Sequence, residues 1–303
     1  MQFIQVLSDI GASKRGSHEG VDWLCRRLGI TAAQSTIFQN HAASQMLSPP
    51  AKYIDNLTTF FQQNLPALSR LFQQDTFPII LSGDHSNAIG ILSALCHAYP
   101  AQRIGVIWID AHADLHTPYT TPSGNLHGMS LAALIRQDNL PHALHSLSPQ
   151  TAALWQSLQQ LAPQSAGIRP QDICFLGLRD YEPQEMALIE QFQIPHYSAE
   201  EMRKQGFAAV LAQVKQQLAA VDRLYISFDV DSLDAALLNA TGTPVANGFD
   251  ELELQQIFAE LLTLPNLTTF ELTEFNPTLS PDVAQYERVA RLLAYAIEQV
   301  QKR

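Results

Sequence analysis

Short apolar runs alternate along the chain with longer stretches of mixed character. Six of the runs are five or six residues long and rich in β-branched or aromatic residues, which indicates strands. Because their apolar residues follow one another without strict alternation, the pattern favours strands buried on both faces, as in a parallel sheet. The candidate strands are FIQVL (3–7), FPIIL (77–81), IGVIWI (104–109), ICFLGL (173–178), LYISF (224–228) and TTFEL (268–272).

The stretches between these runs carry apolar residues at three- and four-residue steps, which predicts amphipathic helices. Strands that alternate with helices indicate an α/β fold with a mostly parallel sheet covered on both faces. No repeat or linker divides the chain, so we expect a single domain over residues 1–303. Residues 137–170 are the most polar region and predict a surface segment with one short helix, TAALWQSLQQL. The clearest candidate helices are 51–73, 86–98, 207–220 and 282–302.

The composition narrows the class of protein. With 303 residues, 46% hydrophobic and 16% charged, the chain has an ordinary globular composition. Its net charge of −11 argues against nucleic acid or an anionic membrane as partner and weakly favours a cationic ligand. No apolar run approaches the ~18 residues of a membrane span, and the first residues lack the features of a signal peptide. Three isolated cysteines, Cys25, Cys96 and Cys174, predict reduced, buried thiols and a cytoplasmic location.

Four of the candidate strands are followed at once by acids or histidines. In open parallel sheets, ligands bind beyond the carboxyl ends of the strands, where these residues fall. Each motif alone is explained by a helix cap or a bond to the backbone. Together they predict a functional site at one edge of the sheet. The motifs are SGDHS (82–86), DAHAD (110–114), DVD (229–231) and TEFNP (273–277).

The segment WIDAHADLHTP carries an acid or a histidine at every second position from Asp110 to His116. In an extended chain these side chains point to one side, about 7 Å apart. Carboxylates gathered in this way repel one another unless a cation or a proton holds them. Six ligands that are rich in carboxylate and lack thiolate favour a pair of Mn²⁺ ions over Zn²⁺. The predicted metal ligands are His85, Asp110, His112, Asp114, Asp229 and Asp231.

The chain resembles the arginase-type ureohydrolases from about residue 77 to about residue 280. The resemblance implies a three-layer α/β/α fold and hydrolysis of a guanidino group by two Mn²⁺ ions. NLHG together with the Thr-Thr-x-Ser-Gly run is similar to arginase within this family. The motifs that carry the resemblance, in order, are SGDHS, DAHADLHTP, TTPSGNLHG, GLRDYEP, SFDVDSLD, ATGTP and ELTEFNP.

The resemblance also implies roles for individual residues. Asp110 and Asp229 would bridge the two ions, and a metal-bridging hydroxide would attack the guanidinium carbon. Asp114 would orient that hydroxide as well as binding metal. His127 in GNLHG matches a histidine that delivers a proton to the leaving amine. Glu274 in TEFNP matches the carboxylate that receives the guanidinium, and Thr243 in ATGTP would line the same pocket.

The residues expected to hold the far end of the substrate match less completely. Thr121, Ser123 and Asn125 fit contacts to an α-carboxylate, but His116 stands where arginases usually carry Asn. On the side of the α-amino group Asp180 fits, whereas Glu182 stands where arginases usually carry Asp. One extra methylene moves a carboxylate by about 1.5 Å, enough to redirect a charged contact.

Three functions therefore remain open. The sequence favours hydrolysis of L-arginine to L-ornithine and urea. The second possibility is that the protein is another amidinohydrolase, which acts on agmatine, a guanidino acid or a longer arginine analogue. A catalytically silent partner protein is disfavoured because every ligand position and His127 are filled. A two-metal phosphoesterase is opposed by Glu274 and by the lack of a basic phosphate clamp. The resemblance further implies a homo-oligomer, a trimer or a hexamer.

Overall fold

The computed structural model describes residues 1–40, 50–163 and 166–303, so positions 164 and 165 of the predicted surface segment lie outside the described residues. The strands are β1 (Gln2–Leu7), β2 (Ser35–Gln39), β3 (Pro78–Ser82), β4 (Ile104–Ile109), β5 (Ile173–Leu176), β6 (His196–Tyr197), β7 (Arg223–Asp229) and β8 (Leu267–Thr273). The α-helices are α1 (Ser17–Leu28), α2 (Ile54–Phe72), α3 (Asn87–Ala98), α4 (Ser130–Leu134), α5 (Pro149–Gln159), α6 (Pro183–Phe192), α7 (Ala199–Gln205), α8 (Phe207–Gln217), α9 (Glu251–Leu261) and α10 (Val283–Gln301).

The eight strands form one parallel sheet in the order β2-β1-β3-β8-β7-β4-β5-β6. Strands β3, β8, β7 and β4 are therefore neighbours at its centre. SGDHS, TEFNP, DVD and DAHAD follow these same four strands. Since parallel strands share one carboxyl edge, the topology brings the four motifs together.

Helices cover both faces of the sheet because the central strands are apolar on both faces. In β4, Val106 and Trp108 pack with apolar residues of α2 to α6. Ile107 and Ile109 point the other way and pack with apolar residues of α1 and α7 to α10. Side chains of a strand alternate between the faces, so one continuous apolar run serves two cores. The result is three layers, which confirms the α/β/α prediction.

All six predicted strands are present, and two edge strands were missed. Strand β2 is half-exposed at one edge, and β6, at the other edge, has only two residues. Neither has the buried apolar run by which the central strands were recognised. The predicted strand 173–178 ends at Leu176 because Gly177 turns the chain with a φ of 97°. Strand ends of this kind depend on backbone conformation that an apolar run does not reveal.

The predicted surface segment 137–170 also contributes to the core. Its helix α5 begins at a cap in which the Ser148 side chain accepts the Thr151 N–H. Trp155 and Leu158 on this helix are buried in the apolar cluster beneath α2. Cys25, Cys96 and Cys174 are free and buried, as expected. None of the described helices is long and apolar enough to cross a membrane.

Candidate active site

His85 and three carboxylates form the first group of predicted metal ligands. The Nδ1 atom of His85 lies 3.0 Å from Asp110 Oδ2, 3.2 Å from Asp114 Oδ2 and 3.2 Å from Asp229 Oδ2. The side chains come from the turns after β3 and β4 and from the last residue of β7, and each is at most 7% exposed. One imidazole nitrogen and three carboxylate oxygens in so small a volume make a donor set suited to a divalent cation.

His112 is the centre of a second group that shares Asp110 with the first. Its Nδ1 lies 3.1 Å from Asp231 Oδ2 and 3.4 Å from Asp110 Oδ1. Asp110 therefore offers one carboxylate oxygen to each group, as expected of a bridging ligand. Asp229 Oδ1 accepts the N–H of Asp231 at 2.8 Å, which fixes the turn after β7. The structure thus brings together all six residues that the sequence predicted as ligands.

Three donor atoms of the first group are buried without hydrogen-bond partners among the described residues: His85 Nδ1, Asp110 Oδ2 and Asp114 Oδ2. Buried polar atoms are ordinarily paired, and unpaired ones cost free energy. These three atoms converge on one point, where a cation would satisfy all of them. The residues of the first group therefore fit one of the two divalent ions that the sequence implies.

The orientation of His85 is set by contacts on the side away from the carboxylates. Its ring stacks on Trp108 with centroids 3.9 Å apart and planes 4° apart. Its Nε2 lies 2.8 Å from Ser227 Oγ, and Ser227 Oγ donates to Glu271 at 3.0 Å. Because the single hydroxyl proton of Ser227 is donated to Glu271, Ser227 Oγ accepts from His85 Nε2–H. This places the lone pair of the neutral ring on Nδ1, facing the ligand group.

Two site residues adopt left-handed backbone conformations. Asp114 has a φ of 51° and Glu274 a φ of 67°. Non-glycine residues pay free energy for this conformation, and such strain concentrates at functional sites. At Asp114 the left-handed conformation turns the chain, and the Asp114 carbonyl accepts the N–H of Leu131 at 3.0 Å. Strand β4 already ends at Ile109 and the chain bends at residues 110–112, where Asp110 Oδ1 accepts the His112 N–H at 2.7 Å. The extended alternation on which the sequence argument rested is therefore wrong for this motif, and it is the turn after β4 that gathers its side chains.

Arg179 joins the loops that follow β5 and β7, next to the second ligand group. Its guanidinium donates to carbonyl oxygens of residues that follow β5 and β7, including Asp231 at 2.8 Å. The other acceptors are the carbonyls of Gly177, Leu233, Val245 and Ala246. Burial lowers the pKa of Arg179, and neighbouring acids, Asp231 first, raise it in part. Arg179 thereby holds the Asp231 backbone and the loop that leads to Thr243.

Replacing Arg179 with methionine is expected to lower the free energy of unfolding by about 2–4 kcal/mol, because five carbonyls lose their donor. Chemical denaturation monitored by circular dichroism measures the change. Lys215→Met is the matched control, since the exposed Lys215–Glu260 ion pair contributes no more than about 1 kcal/mol. Equal losses in the two variants would contradict the role given to Arg179.

The ligand groups hold protons when no cation is bound. Burial raises the pKa of Asp114 to about 8, and the nearby Asp110 charge adds to this. Burial lowers the pKa of His85, but the hydrogen bonds to Asp110 and Asp229 raise it by a larger amount. The pKa of His85 therefore lies well above its usual range. The pKa of His112 is likewise raised, chiefly by Asp231 against the effect of burial. A cation that binds here must therefore displace protons.

The apparent affinity for Mn²⁺ is consequently expected to rise between about pH 6 and about pH 8.5, by up to tenfold per pH unit for each proton displaced. The sign follows from competition, because groups with raised pKa values keep their protons at low pH and lose them as the pH rises. Titration calorimetry in buffers of different ionisation enthalpy counts the released protons. A pH-independent affinity with no proton release would contradict this account.

His127 and Glu274 form a buried pair next to the ligand groups. His127 Nδ1 lies 3.0 Å from Glu274 Oε1, which also accepts the backbone N–H of His85 at 2.9 Å. Burial lowers the pKa of His127, but the Glu274 charge and hydrogen bond raise it to about 9. His127 lines the open cavity, whereas Glu274 lies behind it and is not among the cavity-lining residues. The structure thus makes the histidine cationic and places it in the cavity wall.

A cavity of about 520 Å³ opens over the ligand groups. Thr243 forms part of its wall and donates its hydroxyl to Asp231 Oδ2 at 3.0 Å. The loop after β4 contributes three hydroxyl or amide side chains, and the loop after β5 contributes acids. The predicted substrate-binding residues among the lining are His116, Thr121, Ser123, Asn125, Asp180, Glu182 and Thr243. Every one of the sequence-predicted site residues except Glu274 therefore either holds a ligand position or faces this cavity.

His116 and Glu182, the two departures from the arginase pattern, are bonded to each other. His116 Nε2 lies 2.8 Å from Glu182 Oε2, and its Nδ1 lies 3.2 Å from Thr120 Oγ1. Glu182 also caps α6 together with Glu185, whose carboxylate accepts the N–H groups of Glu182 and Leu115. Burial lowers the pKa of His116 despite the opposing effect of Glu182. The two substitutions thus compensate each other through a direct contact.

Sequence reasoning missed several supporting residues. Asp84 lies inside SGDHS, yet only the structure shows its carboxylate accepting the N–H groups of Gly11 and Ala12 at 2.7 and 3.1 Å. Ser227 lies inside SFDVDSLD and Arg179 inside GLRDYEP. Their positions within these motifs were therefore the sequence signal from which a supporting role could have been predicted. Lys52 lines the cavity, but it belongs to a stretch that reads as an ordinary amphipathic helix.

Comparisons with known proteins agree with the geometry. A model of the Arginase family matches residues 2–300. An arginase of Entamoeba histolytica is 26% identical over 291 residues, which cover 93% of this chain and 92% of that protein. The non-hepatic arginase 3 of Xenopus laevis is 35% identical over 218 residues, which cover 71% of this chain and 56% of that protein. The crystal structure of Helicobacter pylori arginase has a TM-score of 0.86 at 29% identity and covers 99% of each chain.

The chain therefore belongs to the arginase family. The fold extends beyond arginases, because the agmatine ureohydrolase of Thermoplasma volcanium has a TM-score of 0.69 at 18% identity, covering 99% of this chain and 89% of that one. Within the family the protein is a ureohydrolase-type enzyme, a hydrolase that acts on guanidino compounds.

Proposed function

We propose that this enzyme hydrolyses L-arginine to L-ornithine and urea with two Mn²⁺ ions. The observation that carries the proposal is the pair of donor groups joined by Asp110, one around His85 and one around His112. Two groups that share a carboxylate suit two ions held close together. The carboxylate-rich donor set favours Mn²⁺, although other divalent metals can compete for such sites.

When bound, the two ions would lower the pKa of a water held between them, so that it can attack near neutral pH. The protein supplies the remaining contacts. Asp114, which lies 3.2 Å from His85 Nδ1 in the first group, would orient this water by a hydrogen bond. The resemblance assigns the guanidinium to Glu274, but its carboxylate lies behind His127 and outside the cavity lining, so in this structure Glu274 would act through His127, to which its Oε1 is bonded. The buried carboxylates together favour a cationic substrate group.

His127 is suited to protonate the leaving amine. Its pKa of about 9 keeps it charged at neutral pH, and its Nδ1 is tied to Glu274. This leaves Nε2 as the atom that delivers the proton. Attack on the planar guanidinium carbon and loss of the amine both need correct placement of protons, which the His127–Glu274 pair provides.

The far end of the cavity supports an α-amino acid as substrate. Thr121, Ser123 and Asn125 offer hydroxyl and amide donors to a carboxylate, while Asp180 offers an acceptor to an amino group. The side chain of Asp180 is 62% exposed. Agmatine, which lacks the carboxylate, is the second candidate, because His116 replaces the asparagine usual in arginases. A cytoplasmic location and a homo-oligomeric state stay predictions of the family resemblance.

Urea release from Mn²⁺-loaded protein, offered L-arginine and agmatine in parallel, tests the proposal. We expect turnover of L-arginine at a kcat/KM at least about 100-fold above that of agmatine, since agmatine forfeits the charged contact of the carboxylate. Urea from agmatine alone would replace the proposed substrate with the decarboxylated amine. No urea from either compound would contradict both candidate functions.

A further inference from the structure

Lys52 brings a positive charge to the wall of the cavity. It is the one lysine or arginine among the cavity-lining residues of the described chain. Its backbone N–H donates to the Gly124 carbonyl at 2.8 Å, and its Nζ donates to Asn125 Oδ1 at 3.0 Å. Both contacts tie Lys52 to the loop that carries Ser123 and Asn125. The ammonium is therefore held beside the groups proposed to receive the substrate carboxylate.

The acids of the same cavity have other partners. Asp180 lies 3.6 Å from His112 Nε2, and Glu182 is bonded to His116. Over the described ranges, Lys52 forms no salt bridge with either acid. An ammonium that is kept apart from the carboxylates of the same cavity is the arrangement that a zwitterion requires. An ion pair between Lys52 and a neighbouring acid would have left no positive group in the cavity wall for the carboxylate of a zwitterion.

His116 is not available to a substrate carboxylate. Both of its ring nitrogens are engaged, Nε2 with Glu182 and Nδ1 with Thr120. Asn125 uses Oδ1 to accept from Lys52, which leaves its amide nitrogen to donate to an anion. A charge-assisted contact from an ammonium is stronger than one from a neutral amide. Lys52 thus supplies what the imidazole at position 116 does not.

We propose that Lys52 binds the carboxylate of the substrate and makes the enzyme select a guanidino α-amino acid over a decarboxylated guanidino amine. This inference rests on the proposed function and names the residue that determines its specificity. Lys52 takes no part in attack or proton transfer. Its loss therefore weakens binding of the substrate tail and changes KM more than kcat.

The test compares Lys52→Met and Lys52→Arg with the parent enzyme, using L-arginine as substrate and either L-ornithine or 1,4-diaminobutane as competitor. In Lys52→Met, KM for L-arginine is expected to rise about 10- to 100-fold, as for loss of one charge-assisted contact, with little change in kcat. Inhibition by L-ornithine weakens in parallel. Inhibition by 1,4-diaminobutane, which has no carboxylate, stays within about twofold of the parent value.

Lys52→Arg keeps the charge and is expected to recover most of the lost affinity. Lys204→Met, outside the cavity, is the control for a general loss of positive charge. A KM for L-arginine in Lys52→Met within about twofold of the parent, or equal weakening of both competitors, would overturn the inference alone. A parent enzyme that releases no urea from L-arginine would instead overturn the proposed function and the role of Lys52 with it.

Discussion

Replacing Asp110 with asparagine is expected to lower the rate of urea release on the order of 10³-fold or more. Asp110 is the residue that offers one oxygen to each ligand group, at 3.0 Å from His85 Nδ1 and 3.4 Å from His112 Nδ1. An amide has one oxygen and no charge, so it cannot join two divalent ions. Colorimetric urea assays at saturating Mn²⁺ and L-arginine measure the effect.

The same variant is expected to bind fewer ions while keeping the fold. Metal content after dialysis and circular dichroism of the metal-free protein separate these two properties. Asp75→Asn, an exposed acid outside the cavity, is the control and should leave the rate unchanged. Full activity of Asp110→Asn would show that the two donor groups do not act together.

Replacing His127 with alanine is expected to lower kcat by about 10²- to 10⁴-fold, the usual contribution of a general acid or base. KM should change little, because His127 acts on the leaving amine rather than on the substrate tail. His142→Ala, in the exposed surface segment, is the matched control. A decrease confined to KM would contradict proton delivery by His127.

The pH profile gives an independent test of the same residue. Glu274 raises the pKa of His127 to about 9, so the protonated form predominates at neutral pH and is lost as the pH rises through that value. The rate of the parent enzyme should therefore fall above about pH 9. His127→Asn, which has no titrating group, should lack this descending limb. An unchanged limb in the variant would assign it to another group.

The sequence was sufficient to predict the central sheet and the edge at which the candidate metal ligands gather, because both are encoded locally. Strands β3, β4, β7 and β8 are almost wholly buried and carry most of the apolar runs, and each leads directly into its motif. Parallel topology then brings the motifs together without further information. The edge strands β2 and β6 lack such runs, since exposed or two-residue strands impose little pattern on the sequence.

Contacts between distant residues were beyond local reasoning. The His116–Glu182 bond joins positions 66 apart, and the Lys52–Asn125 bond joins positions 73 apart. From the sequence alone, His116 and Glu182 are departures from the family pattern, and Lys52 is part of a candidate helix. Only their partners show that His116 is engaged elsewhere and that Lys52 is placed to compensate. Specificity is therefore the property for which the structure adds most to the sequence.

The number of Mn²⁺ ions bound per chain tests the central claim most directly. Equilibrium dialysis at about pH 8.5, the upper end of the range over which the affinity for Mn²⁺ is expected to rise, is expected to give two ions for the parent protein. His112→Ala removes the imidazole of the second group and should retain one ion in the group around His85. A single ion, or none, in the parent protein would contradict a paired metal centre built on Asp110.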